Sequence, residues 1–143
     1  MADGRSLVAA LALGADAVNM GTRFCATQEA RIHPNVKRKI VENTELDTVL
    51  VGRNLRNTAR VARNAVSEKV AEIQRDPNTT FEDVRELMSG ARARVAVDQQ
   101  GDVDGGIWSS GQSQALIHDI PTCKELVDNI MAQAAAVRSR LAA

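Results

Sequence analysis

Four residues directly after Met20, Gly21-Thr22-Arg23-Phe24, have the make-up of an anion loop. A glycine lets the backbone come close to an oxyanion, adjacent amide N–H groups can point at it, and the Thr22 hydroxyl adds a donor. Arg23 has two uses open to it: charge for the anion, or a grip on a neighbouring carboxylate. A second short stretch, Ala2-Asp3-Gly4-Arg5, has a similar make-up and leads into an apolar run. On spacing alone, a Gly-Thr pair fits a plain turn as well as a phosphate loop. A third group is Trp108, Ser109, Gly111 and Gln112, the chain's lone tryptophan set among glycines. An isolated tryptophan in such a loop reads first as a packing anchor.

Other chemistry finds less support. Cys25 and Cys123 show no C-x-x-C spacing, and His33 and His118 lie far from each other and from further ligand types, so no metal is expected. The cysteines read as reduced thiols, with a Cys25–Cys123 bridge left open. Asp102, Asp104 and Gly105 resemble part of a calcium loop, but its first position falls on Gln100 and its closing acid on Gly111. Arg53, Arg56, Arg60 and Arg63 could form a basic stripe. No aromatic residues interleave with them, and 18 basic residues balance 18 acidic ones, so a solvated face is expected rather than nucleic-acid binding. The start of the chain has an arginine before an apolar run, like a weak secretory leader. Asp3 offsets Arg5 and the run Leu7–Leu13 is short, so a cytoplasmic protein is expected, without membrane spans.

The elements that must position these residues follow from periodicity. Arg5–Leu13 predicts a helix closed by Gly14, apolar nearly all round and therefore buried. Ala17–Met20 predicts a strand, so the chain opens on a helix–strand unit of the parallel α/β kind. Pro34 to Glu42 predicts a helix with proline in its first turn. Asp47–Val51 reads as extended, and Thr58–Arg75 as one long helix. Thr79 and Glu82 predict a capping box for a helix closed by Gly90. Ala91–Ile107 reads as irregular and Ser109–His118 as a short helix. The last helix is expected from about Thr122 to Leu141, its apolar residues following the i, i+3, i+4, i+7 pattern. Aromatics make up only 2% of the chain, so the core must be aliphatic. The expected class is mainly α with one or two short strands.

A resemblance sharpens this. The stretch "ADGRSLVAALALGADAVNMGTRF" resembles the C-terminal part of the nitronate monooxygenase family, formerly called 2-nitropropane dioxygenases. Ala2 to Arg5 match one motif and Met20 to Phe24 the other. The segments "RNLRNTARVARNAVSEKV" and "QQGDVDGGIWSSGQSQALIHDIPTCKELVDNIM" are similar to that family's C-terminal extension, above all in the bacterial branch with NADH:quinone reductases. The resemblance implies a C-terminal fragment of an FMN-binding (β/α)8 TIM barrel plus its helical extension. Residues 1–30 would be the last helix/strand unit, with strand 8 and its phosphate loop, and residues 31–143 the extension packing back on the barrel. It implies that Gly21 and Thr22 hold the FMN phosphate through backbone N–H groups; Met20, at the strand end, reads first as core, with a contact to the cofactor as its second role. Asp3 and Gly4 would belong to the second phosphate loop. Trp108, Ser109, Gly111 and Gln112 would lie near the barrel mouth, which adds a flavin-side or substrate-side role to the packing one. The family's histidine base is expected upstream of Met1, with neither His33 nor His118 in its place. The implied activity is FMN-dependent oxidation of alkyl nitronates by oxygen, a small-molecule substrate, with the fragment alone inactive. NADH:quinone reduction on the same scaffold is the alternative. A non-catalytic helical fragment that self-associates through an unpaired strand 8 is a third reading.

Overall fold

The computed structural model describes residues 1–142. Its order is α1 (Gly4–Ala12), α2 (Gly21–Cys25), α3 (Pro34–Glu42), β1 (Thr48–Val51), β2 (Ala59–Ala62), α4 (Ala65–Ile73), α5 (Phe81–Val84), α6 (Gly90–Ala93) and α7 (Cys123–Leu141). A π-helical turn follows α6 over Arg94–Gln99, and a 3-10 helix covers Gln112–Leu116. The expected class holds: the fold is mainly helical, with one two-stranded antiparallel sheet.

Local chemistry sets most helix starts. Asp3 caps α1 by accepting from the Ser6 amide at 2.8 Å, while the Ser6 hydroxyl takes the Asp3 amide at 3.2 Å. Pro34 opens α3, where its missing N–H costs nothing. Thr122 caps α7 and Glu125 reaches back to the Thr122 amide at 2.9 Å. The reciprocal box near α5 belongs to Thr80 and Asp83, not Thr79 and Glu82. The Thr79 hydroxyl instead donates back to the Ile73 and Asp76 carbonyls, closing the preceding turn. Gly90 does not end that helix. It opens α6 under a Ser89 cap. Part of the expected irregular stretch 91–107 is therefore helical.

Two further expectations fail. The predicted helix 58–75 is a strand followed by a helix. β2 pairs with β1 in the register Val49↔Val61 and Val51↔Ala59, and α4 starts only after Asn64. The Asn64 side chain accepts from the Ser67 amide and the Asn64 amide donates to the Ser67 hydroxyl, a cap that marks the true start. Arg60 therefore lies on a strand, donating to Thr48, and Arg63 donates to the Leu46 and Thr48 carbonyls and to Glu68. The basic residues form no helical stripe. The predicted strand Ala17–Met20 carries no ladder either. No strand lies beside it among the described residues, and an extended segment without a partner cannot make sheet hydrogen bonds.

The core is aliphatic, as expected. One cluster joins Ala2, Ala26, Val36, Ile40, Val97 and Ile117, with Trp108 against it. A second lies under the hairpin (Val51, Val61, Val70, Val84). The third, Met20 with Leu126 and Ile130, sits between the α1 end of the chain and α7. α1 is not buried all round. Its Gly4 and Ala10 face is covered, while Leu11 is 46% and Leu13 90% exposed. No described helix is long and apolar enough to cross a membrane.

The caps make stability depend on acid. Amide donors at Thr44, Thr80 and Thr122 hold the carboxyls of Asp47, Asp83 and Glu125 below their usual range. Burial alone would raise Asp3, but its bonds from Ser6 and Arg5 outweigh that and leave it low too. A carboxyl depressed in the folded state stabilises above its unfolded pKa, and that contribution fades as pH falls through the folded value. The urea midpoint is therefore expected to be flat down to about pH 4 and to drop below it. An unchanged midpoint at pH 3 would contradict the capping account.

Candidate functional site

The site is built at the start of α2. Met20 precedes it with a buried side chain packed on Leu126 and Ile130, which anchors the entry to the helix. In a helix the first amides have no partner within it. Here the amides of Gly21, Thr22 and Arg23 also donate to no other described group. Gly21 is exposed, and a Cβ added there would meet nothing within 4 Å. Its smallness answers no packing need in this chain. The result is a short row of free N–H donors beside open space.

Thr22 is half-buried, and its hydroxyl oxygen accepts from the Gly111 amide at 3.0 Å. This bond brings two of the sequence-predicted groups together across 89 positions. Arg23 takes the second of its two uses. It is buried, with Nη1 donating to Asp119 Oδ1 and Nη2 to the Ala26 and Asp119 carbonyls, all at 2.9 Å. Its charge is spent on tying α2 to the segment before α7.

Asp3 and Gly4 lie elsewhere in function. Asp3 caps α1 and pairs with Arg5 at 2.9 Å, and the Gly4 amide donates to Gln133 Oε1 at 3.0 Å. Asp3 borders a cleft of about 190 Å³ with Arg23 of α2, His118, and Ile130 and Gln133 of α7. His33 caps α3, its Nδ1 accepting from the Asn35 amide at 3.1 Å. Cys25 and Cys123 are free, and burial pushes the Cys25 thiol up. No cluster of metal-ligating groups exists among the described residues.

Trp108 is a packing anchor: its indole N–H donates to the Val103 carbonyl at 3.0 Å and its ring lies on the first core cluster. Its carbonyl accepts from Ala62, and Ser109 bridges to Val61, so this segment runs along the free edge of β2. Gln112 is exposed at the start of the 3-10 helix. The important residues that sequence reasoning missed are Ser110 and Gln114. The Ser110 hydroxyl donates to Gln114 Oε1 at 2.6 Å, and Gln114 Nε2 reaches the Thr44 carbonyl at 2.7 Å. Both are buried, and the pair fixes the backbone on either side of Gly111. The only signal in the sequence was their four-residue spacing, too common to single out.

Comparison with known proteins bears on this geometry. Residues 1–133 match the family described as nitronate monooxygenase. Among curated proteins, the chain is 32% identical to (3aS,4S,5R,7aS)-5-hydroxy-7a-methyl-1-oxo-octahydro-1H-indene-4-carboxyl-CoA dehydrogenase of Rhodococcus jostii, covering 92% of this chain and 47% of that protein. It is 29% identical to a probable nitronate monooxygenase of Staphylococcus saprophyticus, covering 96% of this chain and 38% of that one. Among solved structures, FabK from Thermotoga maritima superposes with a TM-score of 0.87 at 35% identity, covering 99% of this chain and 44% of FabK. Nitroalkane oxidase from Streptomyces ansochromogenes gives 0.76 at 27% identity, covering 99% and 39%. The chain thus spans less than half the length of each of these relatives.

Proposed function

Because the chain belongs to the nitronate monooxygenase family, we propose that it forms the closing part of an FMN-dependent oxidoreductase acting on alkyl nitronates with oxygen. In this reading residues 1–30 are the last helix/strand unit of a (β/α)8 barrel and residues 31–143 its helical extension. The observation that carries it is the start of α2. Three amides there have no acceptor among the described residues, Gly21 is exposed with open space at its Cβ position, and Thr22 adds a hydroxyl. That donor set fits a phosphate. Gly21 and Thr22 would hold the FMN phosphate, and Met20 would pack beneath it. Asp3 and Gly4 do not extend the grip, since one is an anionic cap and the other's amide is already used.

FMN supplies the electron chemistry when bound. The chain's own share is binding and orientation. Proton removal needs a base near the substrate. His33 is committed to capping α3, and the sequence resemblance puts neither His33 nor His118 in the place of the family's base. The 143-residue chain mixed with FMN and an alkyl nitronate is therefore expected to take up no oxygen. Flavin-dependent uptake would overturn this assignment of the base.

The dehydrogenase relative, at 32% identity, favours a second reading in which the substrate is not a nitronate. NADH-to-quinone electron transfer is the version of it that the sequence resemblance implies. Two assays on the FMN-loaded, barrel-complete protein separate them. Oxygen uptake with an alkyl nitronate supports the first reading. NADH oxidation with a quinone acceptor, and no response to nitronate, replaces it with the second.

A further inference from the structure

We propose that the cleft lined by Arg23 binds a neutral aliphatic amide, whose carbonyl oxygen accepts the Arg23 Nε–H. The proposal uses none of the amides at the start of α2 and stands whether or not they hold a phosphate. The Arg23 side chain is 4% exposed, and both of its terminal nitrogens are bonded. Its Nε is buried as well, yet it donates to no group among the described residues. Buried polar groups nearly always have a partner, and a donor left without one costs stability, more so on a charged group. Arg23 also lines the cleft of about 190 Å³ with Asp3, His118 and Gln133. A ligand oxygen there supplies the acceptor that the fold does not.

The other groups of the cleft define the ligand's chemistry. Gln133 gives its Oε1 to the Gly4 amide and keeps an unspent Nε2 donor. Asp119 spends Oδ1 on Arg23 and keeps Oδ2 to accept from an N–H. One strong donor for a carbonyl and one acceptor for an N–H match a carboxamide. Charge disfavours an acid. The two arginines near the cleft are already paired, Arg5 with Asp3 and Arg23 with Asp119, each at 2.9 Å. A carboxylate would meet both carboxylates and no unpaired cation. The aliphatic part follows from a second cleft of about 390 Å³, which shares Asp3, Leu116, His118 and Gln133 with the first and continues along α7 to Ala136 and Val137. Leu116 is 46% exposed, an apolar surface that a short alkyl chain would cover. His118, Asp119 and Asn129 border the first cleft as exposed side chains, so a small ligand enters by rotamer changes alone.

The test reads the Arg23 Nε–H directly, as a resonance in nitrogen–proton correlation spectra of the full chain. Hexanamide, acetamide and hexanoate are titrated in turn. Hexanamide is expected to shift the Arg23 Nε–H and the Gln133 side-chain amide saturably. Acetamide is expected to bind about tenfold more weakly, for want of the alkyl chain. Hexanoate, with the same chain and a charged head, is expected to leave the Nε–H in place. Arg23 itself stays intact, because it holds α2 to the segment before α7. Asn129→Trp is used instead. It changes an exposed side chain that bonds to no described group, and its ring would fill the rim of the cleft. It is expected to abolish the hexanamide shifts while the rest of the spectrum keeps its dispersion. An Nε–H unmoved up to the solubility limit of hexanamide would overturn the proposal and leave water as the occupant. Hexanoate binding as tightly as hexanamide, acetamide binding as tightly as hexanamide, or undiminished shifts in Asn129→Trp would each overturn it too. Should Asn129→Trp fail to fold, the two ligand comparisons on the parent chain decide alone.

Discussion

Arg23→Leu lowers the unfolding free energy by about 3 kcal/mol, read from urea denaturation at pH 7. The side chain is 4% exposed, and its removal leaves the Ala26 and Asp119 carbonyls without their donor. Leucine restores apolar volume but no hydrogen bond, so the penalty is that of unpaired buried polar groups. The pair is asymmetric. The Asp119 side chain is 62% exposed and can be rehydrated. Asp119→Asn keeps both carbonyl bonds of Arg23 and is expected to cost about 1 kcal/mol, in the range of exposed ion pairs. Equal losses for the two variants would mean that the ion pair, not the carbonyl bonds, holds α2 to the segment before α7.

Gly4→Ala and Gly21→Ala are expected to behave oppositely, although both glycines sit in the same kind of motif. A Cβ on Gly4 would run into the Ile130 carbonyl oxygen and come 2.6 Å from the Ala134 amide nitrogen. Both are backbone atoms of α7, so the two helices must separate, and the Gly4–Gln133 bond lengthens with them. Overpacking of that kind costs about 2–3 kcal/mol. Gly21→Ala meets open space, and alanine favours a helix over glycine by about 1 kcal/mol. It is expected to leave stability unchanged or slightly higher. Thermal or urea melts of the two variants check both signs at once. A destabilised Gly21→Ala would mean that packing, rather than ligand access, explains the glycine.

The parts of the fold legible in the sequence were those fixed by neighbours in the chain. α7 was read closely because Thr122 and Glu125 mark its start and its apolar residues keep helical spacing as far as Leu141. α3 was read from Pro34. The hairpin was missed because β2 is four residues long and leads directly into a helix. Ala62, Val66, Val70 and Ile73 keep one helical face across that break, and only pairing with β1, set by tertiary contact, separates strand from helix. Ala17–Met20 is the reverse case. Its residues suit a strand, yet no partner lies beside them among the described residues.

The candidate site divides in the same way. The amides left without acceptors at Gly21 and Thr22 follow from the sequence because the chemistry of a helix start is local. The roles of Arg23 and Gly111 were not, because they depend on bonds spanning 96 and 89 positions. Asp3 and Gly4 looked like a second anion loop, but the contacts that use them come from Arg5, Ser6 and α7. A loop motif shows which donors exist. Only the packed chain decides which of them are still free.

The central claim is that the free amides at the start of α2 bind the phosphate of FMN. The most direct measurement is a calorimetric titration of FMN into the chain and into Gly21→Trp, whose indole would occupy the open space at the Gly21 Cβ position. The account predicts saturable binding by the parent chain and its loss in the variant, with the fold of the variant intact by circular dichroism. Equal FMN affinity in the two proteins, or no binding by the parent chain, would contradict it.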